Sequence, residues 1–136
     1  MSAVLVDSNV LLDIIAEGSE WCDWSATTLA EVAEHSALFI NPIIYAEVSV
    51  RFARIEELDQ KLPADVFRRE PLPWAAGFLA GKCFLDYRSR GGAKRSPLPD
   101  FYVGAHAAVR GAKLLTRDTS RYRGYFPGVE LIAPNA

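Results

Sequence analysis

The sequence predicts an α/β fold: a central, mostly parallel β-sheet flanked by helices on both faces. Three observations carry that prediction. Fully apolar runs at Val4–Val6 and Leu38–Ile40 have the length and composition of buried strands. Helical stretches separate them from each other and from two further apolar runs near the end of the chain. The length of 136 residues suits one domain spanning 1–136, able to bury roughly two-thirds of the surface that its unfolded form exposes. Strands alternating with helices imply right-handed crossovers, and in such folds ligands collect outside the carboxyl ends of the strands.

The first strand, Val4–Val6, runs straight into Asp7, and a helix follows from about Asn9 to Ala16. A second helix covers about Cys22 to Glu34. The strand Leu38–Ile40 is stopped by Asn41-Pro42. Ile43 to Arg54 reads as a helix and Ile55 to Leu62 as a second short one. After the proline-rich "EPLPW", a longer helix runs from Trp74 to about Arg88, with Trp74, Phe78, Leu79 and Leu85 available to pack, and Gly91-Gly92 ends it. Another helix starts near Pro99-Asp100 and carries Phe101, Val103, Ala107 and Ala108. Gly111 leads into strand Lys113–Thr116, and a last strand, Val129–Ile132, follows Pro127-Gly128. No repeat and no linker interrupts this order.

Composition narrows the function classes. Half of the residues are hydrophobic, which argues against disorder. No basic region precedes the first apolar stretch and no apolar run approaches the ~18 residues of a membrane span, so a soluble, cytoplasmic protein with no membrane association is expected. Cys22 and Cys83 are too sparse for a disulfide scaffold and form no CxxC pair, so both are read as reduced thiols. The net charge of −2 conceals an asymmetry: residues 1 to 50 hold eight acids and no Lys or Arg, whereas all fifteen basic residues follow. The loop "YRSRGGAKRSPLPD" packs Arg88, Arg90, Lys94 and Arg95 just ahead of Asp100. Such density can bind phosphates.

Four acids stand at strand exits or early in helices. Asp7 leaves the first strand at its carboxyl end, and Asp118, in "KLLTRD", leaves a later one at the same edge. Glu47, in "NPIIYAEVSVRF", projects from a largely apolar helix face, where a charge wants a partner. Asp100 opens a helix, where the free N–H groups and the dipole favour an acid. Each has an ordinary reading: a cap for Asp7 and Asp100, an Asx turn for Asp118, and an exposed residue or a pair with Arg51 or Arg54 for Glu47. Those readings leave unexplained why four acids all stand at strand exits or early in helices of a parallel fold, with basic residues beside two of them. Gathering like charges there also predicts raised carboxylate pKa values.

The pieces "VLVDSNVLLD", "NPIIYAEV", "LPDFYVGAHA" and "LLTRDTSRYRGYFP" resemble, in order and spacing and over nearly the whole chain, the PIN-domain ribonucleases, and among them the VapC-type toxins of bacterial toxin–antitoxin pairs. The resemblance implies a PIN-like fold and a metal-dependent endoribonuclease. It matches Asp7, Glu47 and Asp100 to the family's metal-binding acids, Asp118 to its fourth acid, and Asn9 and Thr116 to polar residues lining the same pocket. Some members carry a further Asp two residues after the fourth acid, where this chain has Ser120, which leaves the number of ions, one or two, open. Carboxylate oxygens suit Mg2+ or Mn2+, which can activate a water and stabilise charge on a phosphoryl group without a protein nucleophile. Arg88, Arg90, Lys94 and Arg95, with Arg117 and Arg121 on the opposite lip, are expected to contact the backbone of single-stranded or loop RNA. A homodimer inhibited by a cognate antitoxin protein completes the implied picture.

Two rival readings remain open on sequence. An aspartyl-nucleophile phosphatase also places an Asp after its first strand, but as D-x-D, and Asn9 stands at the second position here. A degenerate PIN fold that binds RNA or a protein without cutting would be expected had one core acid been lost; all four are present. His35 and His106 are read as structural, and Trp21, Trp24 and Trp74 as packing groups.

Overall fold

In a computed structural model, which describes residues 2–16, 18–92 and 97–134, the chain forms five strands and seven helices. They follow in the order β1 (Ser2–Val6), α1 (Ser8–Ala16), α2 (Cys22–His35), β2 (Ser36–Ile40), α3 (Pro42–Ser49), α4 (Ile55–Lys61) and β3 (Phe67–Arg69). Then come α5 (Trp74–Ser89), α6 (Leu98–Arg110), β4 (Lys113–Leu115), α7 (Ser120–Tyr125) and β5 (Leu131–Ile132). Strand order is β3-β2-β1-β4-β5 and every pairing is parallel. In β1, Val4, Leu5 and Val6 are all fully buried although they point alternately to opposite faces, so helices cover both sides of the sheet.

The sheet is entered at its centre and wound outward twice, first through β2 and β3, then through β4 and β5. The winding reverses between β1 and β4, where Leu5 pairs with Leu114. In folds of this kind such a switch point is where a crevice forms beyond the carboxyl ends of the two strands. Asp7 and Thr116 follow β1 and β4 immediately and flank it. The other walls are α3, whose N-cap Asn41 accepts a hydrogen bond from the Ile44 N–H, and α6, which packs against α5. Gly104 in α6 lets the helix approach Phe126: a Cβ there would lie 2.4 Å from the ring. Gly111, in the left-handed region at φ 69°, closes α6 and turns the chain into β4.

Several boundaries depart from the sequence reading. The helix expected over Ile43 to Arg54 ends at Ser49, because Arg51 and Phe52 donate three residues back, a turn, and Val50 faces solvent. Strand β3 and helix α7 were not anticipated. The former is a three-residue edge strand with one buried side chain, and the latter has six residues, too few to show a period. The last strand covers Leu131–Ile132 alone, since the Val129 N–H is drawn back to the Phe126 carbonyl. On α5, Trp74, Phe78 and Leu85 do not pack: they are 95%, 71% and 65% exposed. No described helix is long and apolar enough to cross a membrane, and Cys22 and Cys83 are free thiols.

Candidate active site

Asp7 anchors the crevice. Its N–H continues the sheet ladder to the Leu115 carbonyl at 2.9 Å, which fixes the residue just past β1, and its side chain is 4% exposed. Its Oδ2 accepts hydrogen bonds from the Thr116 hydroxyl and the Tyr122 phenol, each at 2.9 Å, with the Asn9 amide at 3.4 Å. Its Oδ1 accepts from the Ser8 N–H at 2.8 Å. Burial pushes the carboxyl up to about 6; the bonds from Thr116, Tyr122 and Ser8 oppose this, and the charge of Asp100 adds to it. The direction agrees with the crowding expected from sequence, but desolvation is the larger cause.

Glu47 enters from α3. Its Oε1 accepts from the Ser8 hydroxyl at 2.9 Å, so Ser8 ties two of the acids together, one through its backbone and one through its side chain. Burial raises its pKa, against the Ser8 bond and with help from Asp100. Neither Arg51 nor Arg54 pairs with it, and Arg54 faces Glu56. Asp100 comes from the first turn of α6, and its Oδ2 accepts from Arg121 Nη1 at 2.5 Å. Asp7, Glu47 and Asp100 are therefore within electrostatic reach of one another through Asp100. Tyr122 feels all three, and their charges together with its burial, the largest cause, hold its phenol protonated.

Asp118 stands apart from this trio. It is exposed, its Oδ1 accepts from the Ser120 hydroxyl at 3.2 Å, and its N–H donates to Thr116 Oγ1 at 3.1 Å. Asn9 is a stitch between the two strand ends: its amide reaches Thr116 Oγ1 at 3.2 Å, and its Oδ1 accepts from the Arg117 N–H at 3.1 Å. Arg117, expected on the RNA lip, places its guanidinium on Asp13 instead, at 2.6 and 2.9 Å, and over the Trp21 ring. Arg90 pairs with Asp86 at 2.8 Å and lies over the Tyr125 ring of α7, while Arg88 lies over Phe84. Lys94 and Arg95 fall outside the described residues. His106 is buried in the core beside Asn41, 3.0 Å from its amide.

Three participants were not singled out by sequence: Ser8, Tyr122 and Asp13. Ser8 sits next to Asp7, where adjacency was the available signal. Tyr122 and Asp13 gave none, because their partners lie more than a hundred residues away.

The donor set has the chemistry of a hard-cation site. Glu47 and Asp100 each have one oxygen held by a protein donor, and Asp7 has both. Among the described residues, Glu47 Oε2 and Asp100 Oδ1 accept no hydrogen bond, and Asp7 Oδ1 accepts only one. Such free carboxylate oxygens suit Mg2+ or Mn2+. Among the described residues, no three His, Cys, Asp or Glu side chains are already drawn together as a coordination shell. A cavity of about 370 Å³, lined by Ile40, Pro42, Tyr45, Ile55, Arg69 and Pro71 among others, contains none of these acids.

An α/β protein with an acid pocket at the switch point of an all-parallel sheet is the class that fold and site define. The chain belongs to the PIN domain family, whose model matches residues 4–126. None of the curated protein sequences compared with it matches. Among solved structures, it is similar in fold to VapBC2 from Rickettsia felis bound to a promoter DNA fragment, with 16% identity, 98% and 99% of the two chains covered and a TM-score of 0.74. FitAcB from Neisseria gonorrhoeae shares 16% identity over 95% and 96% of the chains, with a TM-score of 0.71. A toxin–antitoxin complex from Klebsiella pneumoniae shares 23% over 93% and 94%, with a TM-score of 0.64.

Proposed function

We propose that this chain is a metal-dependent endoribonuclease, the toxin of a type II toxin–antitoxin pair of the VapC type, acting in the cytoplasm. The observation that carries the reading is the trio Asp7, Glu47 and Asp100 at the switch point, in which one oxygen of Glu47 and one of Asp100 accept no hydrogen bond among the described residues and Asp7 Oδ1 accepts from a single N–H. Membership of the PIN domain family and the likeness to toxin–antitoxin complexes support it. A bound Mg2+ or Mn2+ supplies Lewis acidity and a more acidic water. The protein's part is orientation. Thr116, Tyr122 and Asn9 hold Asp7, Ser8 holds Glu47, and Asp118 at the rim orients a water or an ion. In hydrolysis, a bond forms from a water oxygen to phosphorus, one P–O ester bond breaks, and a water proton ends on the leaving oxygen.

Arg88, Arg90 and Arg121, with Lys94 and Arg95, form the track for the backbone of single-stranded or loop RNA, where affinity is mostly electrostatic. A homodimer and a cognate antitoxin belong to the same reading. The exposed stripe Trp74, Phe78 and Leu85 on α5 supports a protein partner, since so apolar a helix face is poorly suited to water. Co-expression with the neighbouring reading frame should yield a complex.

The test is RNA cleavage by wild type and by Asp7→Asn, Glu47→Gln, Asp100→Asn and Asp118→Asn, with Mn2+ or with chelator. Cleavage that needs the ion and falls at least a hundredfold in the trio variants is expected. Cleavage indifferent to chelator overturns metal dependence. Metal-dependent binding without cleavage returns the chain to a binding module.

A further inference from the structure

Helix α7 supplies the acid pocket with a cation of its own. Two residues after Asp118 the chain carries Ser120, a neutral hydroxyl that donates to Asp118 Oδ1 at 3.2 Å. The next residue, Arg121, reaches across to Asp100 Oδ2 at 2.5 Å. This is the one ion pair that any of Asp7, Glu47, Asp100 and Asp118 makes among the described residues. The other donors on the trio, Ser8, Asn9, Thr116 and Tyr122, are neutral. They orient the carboxylates without balancing their charge. With Asp118 exposed at the rim and facing Ser120, the substrate-free trio of carboxylates is matched by one divalent ion together with one guanidinium, and a second divalent ion would exceed it.

We propose that Arg121 is the second cation of this site. The pocket takes a single divalent ion among Asp7, Glu47 and Asp100, and the Arg121 guanidinium, held on Asp100, meets the scissile phosphate of the RNA. The inference rests on the nuclease reading and adds the ion count and a substrate-contacting residue to it. The geometry suits the role. A guanidinium offers five N–H donors in a planar fork, so holding Asp100 leaves donors for a phosphate. Arg121 and Asp100 are each about one-third exposed, at 32% and 33%, so the pair is open to solvent and to a substrate. On the same helix, Tyr125 carries Arg90 over its ring, so Arg90 abuts the element that delivers Arg121. Arg117, about as exposed as Arg121, is engaged differently: it holds Asp13 with two bonds, and that acid is buried.

The experiment is Mn2+ titration calorimetry on full-length wild type, Arg121→Gln and Arg121→Lys, each checked for native circular dichroism, followed by RNA cleavage under saturating Mn2+. Wild type should bind one Mn2+ per chain. Arg121→Gln should bind Mn2+ severalfold more tightly, because a competing charge has left Asp100, yet lose about a hundredfold in kcat, the size of a lost transition-state donor. Arg121→Lys, which keeps the charge without the fork, should fall between. Two ions bound to wild type, or Arg121→Gln cutting within threefold of wild type, overturns the inference and leaves the nuclease reading standing. Folded wild type that binds Mn2+ but leaves RNA uncut overturns the nuclease reading itself, and no Mn2+ binding at all overturns both.

Discussion

Asp7 makes the metal-free protein less stable at neutral pH than in mild acid. Its carboxyl is raised from 3.8 to about 6, chiefly by burial. Between those values the folded state holds a proton that the unfolded chain has released, so stability falls as pH rises through the window. The effect amounts to roughly 3 kcal/mol at about 1.36 kcal/mol per pKa unit, most of it between pH 4 and 7. For a domain of this size that is roughly 10 °C of melting temperature. Other groups titrate nearby: Glu47 acts in the same direction, whereas His106, whose pKa burial lowers against the pull of Glu70, acts in the opposite one. The assay therefore subtracts. Urea unfolding of wild type and Asp7→Asn, in chelator, is measured from pH 4 to 7.5, and the difference in unfolding free energy is plotted. Asn changes the hydrogen bond with the Ser8 N–H, which shifts the whole difference by a constant and leaves its slope to Asp7. A decline of two kcal/mol or more, roughly, is expected. A flat difference would mean that water reaches the Asp7 carboxylate in solution. A rising one would mean that Thr116, Tyr122 and Ser8 outweigh burial.

Asp13→Ala strands the Arg117 guanidinium, and because that side chain is 30% exposed the loss should lie near the low end for buried pairs, about 3 kcal/mol by urea unfolding. Gly104→Ala drives a methyl group into Phe126, so it should lower stability by roughly 1–3 kcal/mol, part of which returns in a Gly104→Ala, Phe126→Leu double variant measured by thermal melting. Replacing Arg88 and Arg90 by Ala should weaken RNA binding at every sequence and reduce the slope of log affinity against log salt by roughly one per lost phosphate contact. An unchanged slope would place the RNA track elsewhere.

Much of the fold was legible because a strand buried on both faces is written as an unbroken apolar run, as in Val4–Val6 and Leu38–Ile40. Phe67–Arg69 escaped notice because an edge strand needs only one buried residue, and Arg68 and Arg69 read as loop. Trp74, Phe78 and Leu85 show the converse limit: helical spacing reveals an apolar face but not what covers it. The acids were legible through topology, since strand exits in a parallel sheet share one rim. Topology does not orient side chains, however, and Asp118 leaves β4 at that rim while facing solvent and Ser120. Arg121 was counted as a backbone-binding cation because its spacing says nothing of Asp100, twenty-one residues earlier in the chain.

Two buried acids on one short segment show how similar burial can end in opposite pKa shifts. Asp13 and Asp7 are each 4% exposed. Burial pushes Asp13 up, but a two-pronged Arg117 and the hydroxyls of Ser25 and Ser19 outweigh it, and its carboxyl ends below the usual value. Asp7 has as many donors, yet all are neutral, so it ends above. Full charge matching leaves Asp13 nothing further to attract, and it ties α1 to the turn after β4. Orientation without charge matching leaves Asp7 fixed and still in need of positive charge, as a cation site requires before the cation arrives. Asp100, by contrast with Asp7, already has a charged partner, a single Arg121 contact with both side chains about one-third exposed.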